Sequence, residues 1–179
     1  MDKYCAVIGV DAPSVAWAEL EGTTGFRYFT GRILLELDKA YKDGYREFSY
    51  CLGNVMDLYL AMEIVGLKKE EPEINLYPYE VDGFDISGLT EYQSWMRKRA
   101  ILECKTGFMY GAAKTEVECK TGLVEQAGRV IVATAAYYDP VIMKQARAYA
   151  EIPGAREFIE IPLVQQLQLK IEQSGINGK

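Results

Sequence analysis

The stretch that decides the fold is GRVIVATAAYYDP, Gly128–Pro140. Val130, Ile131 and Val132 follow one another with no polar residue between them. Gly128 closes the run on one side, and the pair Asp139-Pro140 closes it on the other. A short, unbroken β-branched run is the signature of a strand covered on both faces, which is the situation of a parallel sheet. Asp139 is a good helix cap and Pro140 a good first helical residue, so a helix is expected immediately after. Strand, tight loop and helix in that order make one half of a β-α-β unit.

The same unit recurs along the chain. YCAVIGV (Tyr4–Val10) is a compact apolar run ending in a turn. After the loop in GTTGFRYFTG, Phe29, Ile33, Leu37 and Tyr41 recur at four-residue spacing, and Gly44 stops that helix. REFSYCL (Arg46–Leu52) reads as the second strand. Asn54 then caps a helix with Asp57 in its first turn, and Met56, Leu60, Ile64 and Leu67 form its buried stripe. INLYPYE (Ile74–Glu80) is a third strand, expected to be broken at Pro78. The acidic loop EVDGFDISG leads to Thr90, whose spacing to Gln93 is that of a capping box. FMYGAA (Phe108–Ala113) is a short fourth strand, and Thr115 with Glu118 opens another capped helix. REFIEIPL (Arg156–Leu163) supplies a sixth strand. A final short helix runs through Val164, Leu167 and Ile171, with residues 173–179 as a flexible tail.

Strand-helix alternation repeated about six times predicts one α/β domain over residues 1–172. It is a doubly wound, Rossmann-like, three-layer arrangement with a mainly parallel sheet of five or six strands. Composition agrees: of 179 residues, 49% are hydrophobic and 26% charged, the balance of an ordinary globular chain. The net charge of −6 argues against a nucleic-acid backbone as principal partner. No run approaches the ~20 apolar residues needed to span a bilayer, and Met1–Lys3 leads straight into a strand without a signal peptide. A cytoplasmic location without membrane association is therefore expected. The apolar content and 13 tyrosines suggest a homo-oligomer.

Chemistry is constrained by what is missing. The chain has no histidine, which removes the commonest general base and every Ser-His or Cys-His arrangement. Its four cysteines are dispersed, with no C-x-x-C, so no metal site and no cofactor are implied and the thiols are expected to be reduced and buried. The pentapeptide ECKTG occurs twice, at Glu103–Gly107 and Glu118–Gly122. Neither copy has the upstream glycines of a phosphate loop, and no S-x-x-K accompanies the Lys-Thr-Gly. The repeat reads as accident. The second copy falls inside the helix opened by Thr115, whose buried face is expected to be Val117, Val124 and Ala127.

In an open parallel sheet, ligands bind beyond the carboxyl ends of the strands. The candidate ligand-binding residues are therefore Gly9, Val10 and Asp11 after the first strand and Gly53, Asn54 and Asp57 after the second. Tyr79 follows the third, and Thr134, Ala135 and Tyr137 follow the fifth. Backbone N–H groups at Gly9 and Gly53, with the positive helix end at Asn54, suit a phosphate. Tyr77, Tyr79 and Tyr137 offer faces for a base or sugar. Glu80 is the candidate catalytic carboxylate, able to bind a ribose diol or act as nucleophile or base at an N-glycosidic carbon. Glu63, on the helix after the second strand, is expected to be solvated or paired within its helix.

The order of these elements resembles the YpsA-like branch of the SLOG superfamily, which includes the DprA and LOG proteins. That branch has a first strand followed by Thr-Gly-His-Arg-Pro, a Gly-x-Ala-x-Gly-x-Asp stretch opening the second helix, and a strand ending Pro-Tyr-Glu. Here VIGVDAP keeps Gly9. CLGNVMDLYLAMEIV keeps Asp57 while Cys51 and Met56 stand in glycine positions. YPYE (Tyr77–Glu80) matches well, and LVEQAGRVIVATAAYYD resembles the approach to the last nucleotide-facing loop. The likeness spans roughly residues 4–163. It implies a protein that binds a nucleotide or nucleotide-derived small molecule as sensor or sequestering agent. The alternatives are an N-glycosidic hydrolase or transferase, although the Pro-Gly-Gly and Thr-x-x-Glu signature of LOG enzymes is absent, and an interaction module whose pocket has decayed.

Overall fold

A computed structural model describes residues 4–13, 15–104, 111–135, 139–154 and 156–163. Six strands form one sheet: β1 (Tyr4–Val10), β2 (Glu47–Leu52), β3 (Asn75–Val81), β4 (Gly111–Ala113), β5 (Arg129–Thr134) and β6 (Glu157–Pro162). The helices are α1 (Trp17–Leu20), α2 (Thr24–Lys42), α3 (Val55–Glu70), α4 (Glu91–Leu102), α5 (Glu116–Gln126) and α6 (Pro140–Ala150). Every strand pair is parallel, and the order is β4-β3-β2-β1-β5-β6. The chain steps outward from β1 to β4, then returns to the other side of β1. Right-handed crossovers in the two directions place α2, α3 and α4 side by side on one face and α5 and α6 on the other. This is the doubly wound, three-layer α/β domain that the alternating pattern predicts.

The central strands form the core. All of β5 is buried, and in β1 only Tyr4 is not. The sequence signals at helix starts do what their chemistry suggests. Asn54 Oδ1 accepts from Asp57 N at 2.8 Å, and Asp139 caps α6 ahead of Pro140. Thr90 and Gln93 form a reciprocal capping box. At α5 the reciprocity is shifted: Thr115 accepts from Glu118 N, but Glu118 reaches back to Lys114 N instead of Thr115 N. Gly44 ends α2 with φ of 92°, a conformation that glycine adopts without Cβ strain.

Three expectations need correction. Pro78 does not break β3, which runs from Asn75 to Val81 with Pro78 in register with Tyr50. β4 joins only from Tyr79 onward, so Pro78 lies where β3 is still an edge among the described strands, a place that tolerates a missing N–H. Val117 is 56% exposed; α5 instead buries Cys119, Lys120, Leu123 and Val124. A single helical turn, α1, stands in the loop after β1, where no helix is expected from the sequence.

All four cysteines are buried and free. Among the described residues no helix is long and apolar enough to cross a membrane. The expected helix through Val164, Leu167 and Ile171, the tail at 173–179, and Phe108–Tyr110 of the expected fourth strand lie outside the described residues.

Candidate functional site

The carboxyl ends of β1 and β2 meet the N-terminus of α3 at close range. A Cβ built on Gly9 would stand 2.8 Å from Met56 Cγ and 3.0 Å from Asp57 Oδ1. One built on Gly53 would stand 2.9 Å from Val81 Cγ2 and 3.0 Å from Cys51 Sγ. Both glycines are therefore required by packing. Gly9→Ala is expected to cost about 1–3 kcal/mol by overpacking, measured by urea denaturation. Gly31→Ala on α2, where a Cβ meets nothing within 4 Å, is the control; it is expected to stabilise by roughly 0.5–1 kcal/mol. Equal midpoints for the two variants would contradict this reading.

The N–H groups at these turns do meet an anion, and it belongs to the chain. Gly9 N donates to Asp57 Oδ1 at 2.8 Å and Gly53 N to Asp57 Oδ2 at 3.1 Å. Asp57, 1% exposed, lies in the first turn of α3, so the helix end favours its charge as well. Its counter-ion is Lys120 from α5, on the opposite face of the sheet. Lys120 is fully buried, with Nζ 3.0 Å from Asp57 Oδ2 and 2.5 Å from Glu116 Oε1, and it also donates to the carbonyl of Gly9. The absence of a side chain at Gly9 leaves room for the Asp57 carboxylate and the Met56 side chain of α3. Asn54 Nδ2 completes the network by donating to Glu116 Oε1 at 2.7 Å and to Gly9 O at 3.3 Å.

Burial pushes the Asp57 carboxyl up to about 6, with Lys120 pulling it down. Burial likewise opposes the Lys120 ammonium, but Asp57 and the other anionic neighbours outweigh it and hold that group above the ordinary lysine range. The two shifts act in opposite senses on the pair, and geometry decides between them. A carboxylate that accepts two backbone N–H bonds beside an ammonium is ionised at neutral pH.

A second carboxylate stands next to the first. Asp11 Oδ1 accepts from Ala12 N at 2.7 Å, Oδ2 accepts from Met56 N at 3.2 Å, and the Trp17 indole N–H is shared between them at 3.1 and 3.2 Å. Burial raises the Asp11 pKa against these hydrogen bonds. The short helix α1 thus positions Trp17, which stacks on Tyr59 of α3 at 5.2 Å. Above this floor opens a cleft of about 350 Å³. Its walls include Asp11, Pro13, Val15 and Trp17 after β1, Gly53, Asn54 and Val55 after β2, Phe84 after β3, and Glu116 at the start of α5.

Of the residues singled out in the sequence, Asp11, Gly53 and Asn54 line this cleft, while Gly9 and Asp57 lie beneath it. Val10 is buried in the core. Thr134 and Ala135 are buried at the end of β5, and Tyr137 lies outside the described residues. Tyr79 is on β3, its ring 2.8 Å from where a Gly111 Cβ would be. Glu80 is ion-paired with Arg97 of α4 and is not part of the cleft wall. Trp17, Phe84, Glu116 and Lys120 are brought to the site without being anticipated. Glu116 and Lys120 carried a usable signal, the i,i+4 acid-base spacing on one helix. Lys120 is moreover the lysine of the second ECKTG, the repeat that reads as accident. Among the described residues no group of three or more Cys, Asp or Glu side chains is gathered to hold a metal ion.

Compared with known proteins, the chain matches no family model and no curated sequence.

Proposed function

We propose that the chain binds a nucleotide or nucleotide-derived small molecule in the cleft at the carboxyl ends of β1, β2 and β3, as a sensor or sequestering protein. The observation that carries this reading is the cleft itself. It lies where doubly wound sheets take their ligands, and its volume of about 350 Å³ falls within the small-molecule range. Trp17, Phe84 and Val55 provide apolar walls suited to a base, and Asp11, Asn54 and Glu116 provide a few fixed polar groups. The likeness of Tyr77–Glu80 to the YpsA-like branch points the same way. A glycosidic reaction at Glu80 has no comparable support, because that carboxylate is engaged by Arg97 away from the cleft.

Isothermal titration against nucleosides, nucleotides, ADP-ribose and cyclic dinucleotides is the direct test. At least one member is expected to bind, and Phe84→Ala is expected to weaken it by about tenfold through loss of an aromatic contact. Absence of heat with every member would overturn the proposal.

A further inference from the structure

We infer that the cleft takes the nucleoside part of its ligand without a 5′-phosphate, because the chain fills the phosphate position with its own carboxylates. This rests on the cleft being the ligand site, as proposed above, and adds the class of compound that it selects.

A phosphate at a βα turn is held by the backbone N–H groups of the turn and of the first helical residues, often with a lysine nearby. Both kinds of element are present here, and four of the amides and the lysine are taken. The Gly9 and Gly53 N–H groups are bound by Asp57, that of Asp57 by the Asn54 side chain, and that of Met56 by Asp11. The lysine is Lys120, fully buried and held by Asp57, Glu116 and the Gly9 carbonyl. An incoming phosphate would have to displace a carboxylate bonded to two backbone amides and neutralised by its own buried cation. It would do so facing Asp11 and Glu116, both on the cleft wall.

One of these carboxylates, Glu116, also suits a ligand that presents donors. Glu116 Oε1 is occupied by Asn54 and Lys120, while Oε2 has no partner among the described residues, and the side chain is 31% exposed. Ribose hydroxyls and exocyclic amines donate to such an oxygen, and a phosphate dianion does not. With Trp17 and Phe84 for the base, the cleft offers an apolar face and an acceptor edge.

The experiment is calorimetric titration of the full chain with adenosine, guanosine, cytidine and uridine, each beside its 5′-monophosphate, at low and high salt. At least one nucleoside is expected to bind tenfold or more tightly than its monophosphate. The ratio should shrink as salt screens the carboxylates and shrink again in Glu116→Gln. Equal or tighter binding of the monophosphates would overturn this inference while leaving the cleft as a nucleotide site. Silence from all eight compounds would overturn this inference, while heat with ADP-ribose or a cyclic dinucleotide would still keep the cleft as the ligand site. If Glu116→Gln does not fold, the salt dependence of the wild-type ratio decides: a ratio indifferent to salt counts against the carboxylates.

Discussion

Lys120→Met is expected to destabilise the protein by about 3–5 kcal/mol, the usual cost of removing one partner from a buried ion pair. Methionine fills much of the same volume, so the loss is electrostatic and not a cavity effect. Without the ammonium, the fully buried Asp57 keeps its charge next to Glu116 and has only backbone N–H groups to compensate it. The remedy for the carboxylate is protonation, so the deficit should be smaller at pH 5 than at pH 8. Asp57→Asn combined with Lys120→Met tests the cause. Asparagine keeps one acceptor for the Gly9 or Gly53 amide and carries no charge. The double variant should therefore recover at least about 1 kcal/mol relative to the sum of the single losses. Strict additivity in urea denaturation would show that the two groups do not act as a pair.

Glu63→Gln is expected to stabilise the protein at pH 8 by roughly 2–3 kcal/mol and to leave it unchanged at pH 4. The sequence suggests a solvated or helix-paired carboxylate. In the structure, burial alone acts on it and pushes it up to about 7 from 4.5, with no charged partner among the described residues. The sign follows from the direction of the shift. A carboxyl with a raised folded-state pKa is harder to ionise folded than unfolded. Below about 4.5 it is neutral in both states and costs nothing. The penalty grows between about 4.5 and 7 and is complete above that. Wild-type stability should thus fall across that interval, and the variant should lack that fall. Chemical denaturation of both proteins from pH 4 to 8 gives the comparison; parallel profiles would rule the idea out.

The readability of this chain follows from the range of the forces involved. Tyr4–Val10 and Val130–Ala133 could be read because both-face burial excludes polar residues from the middle of a central strand, and the strand records that locally. Asn54, Thr90, Thr115 and Asp139 were equally legible, since a cap acts on the N–H two or three residues ahead. The cleft floor was not. Asp57 read as a helix-end acid and candidate ligand contact, and Lys120 as part of an accidental repeat, because their partnership depends on two helices from opposite faces meeting above Gly9. Val117 lies exposed and Lys120 buried for the same reason: helical periodicity alone does not foresee a buried cation. Trp17 stands on a single turn too short to leave a periodic trace. The four-residue interval between Glu116 and Lys120 was the one clue available.

The order of the strands also sets a schedule for the nascent chain. β1 is made before the other five strands, yet its second neighbour, β5, emerges only after β2, β3 and β4. At roughly 5–20 residues per second, the ribosome holds a half-finished sheet for several seconds, with the bare flank of Cys5–Val10 open to any other extended segment. The seam between β1 and β5 thus closes only after β2, β3 and β4 have been made. A chain released before Thr134 would carry that seam unsealed, ready to pair with a second copy of itself.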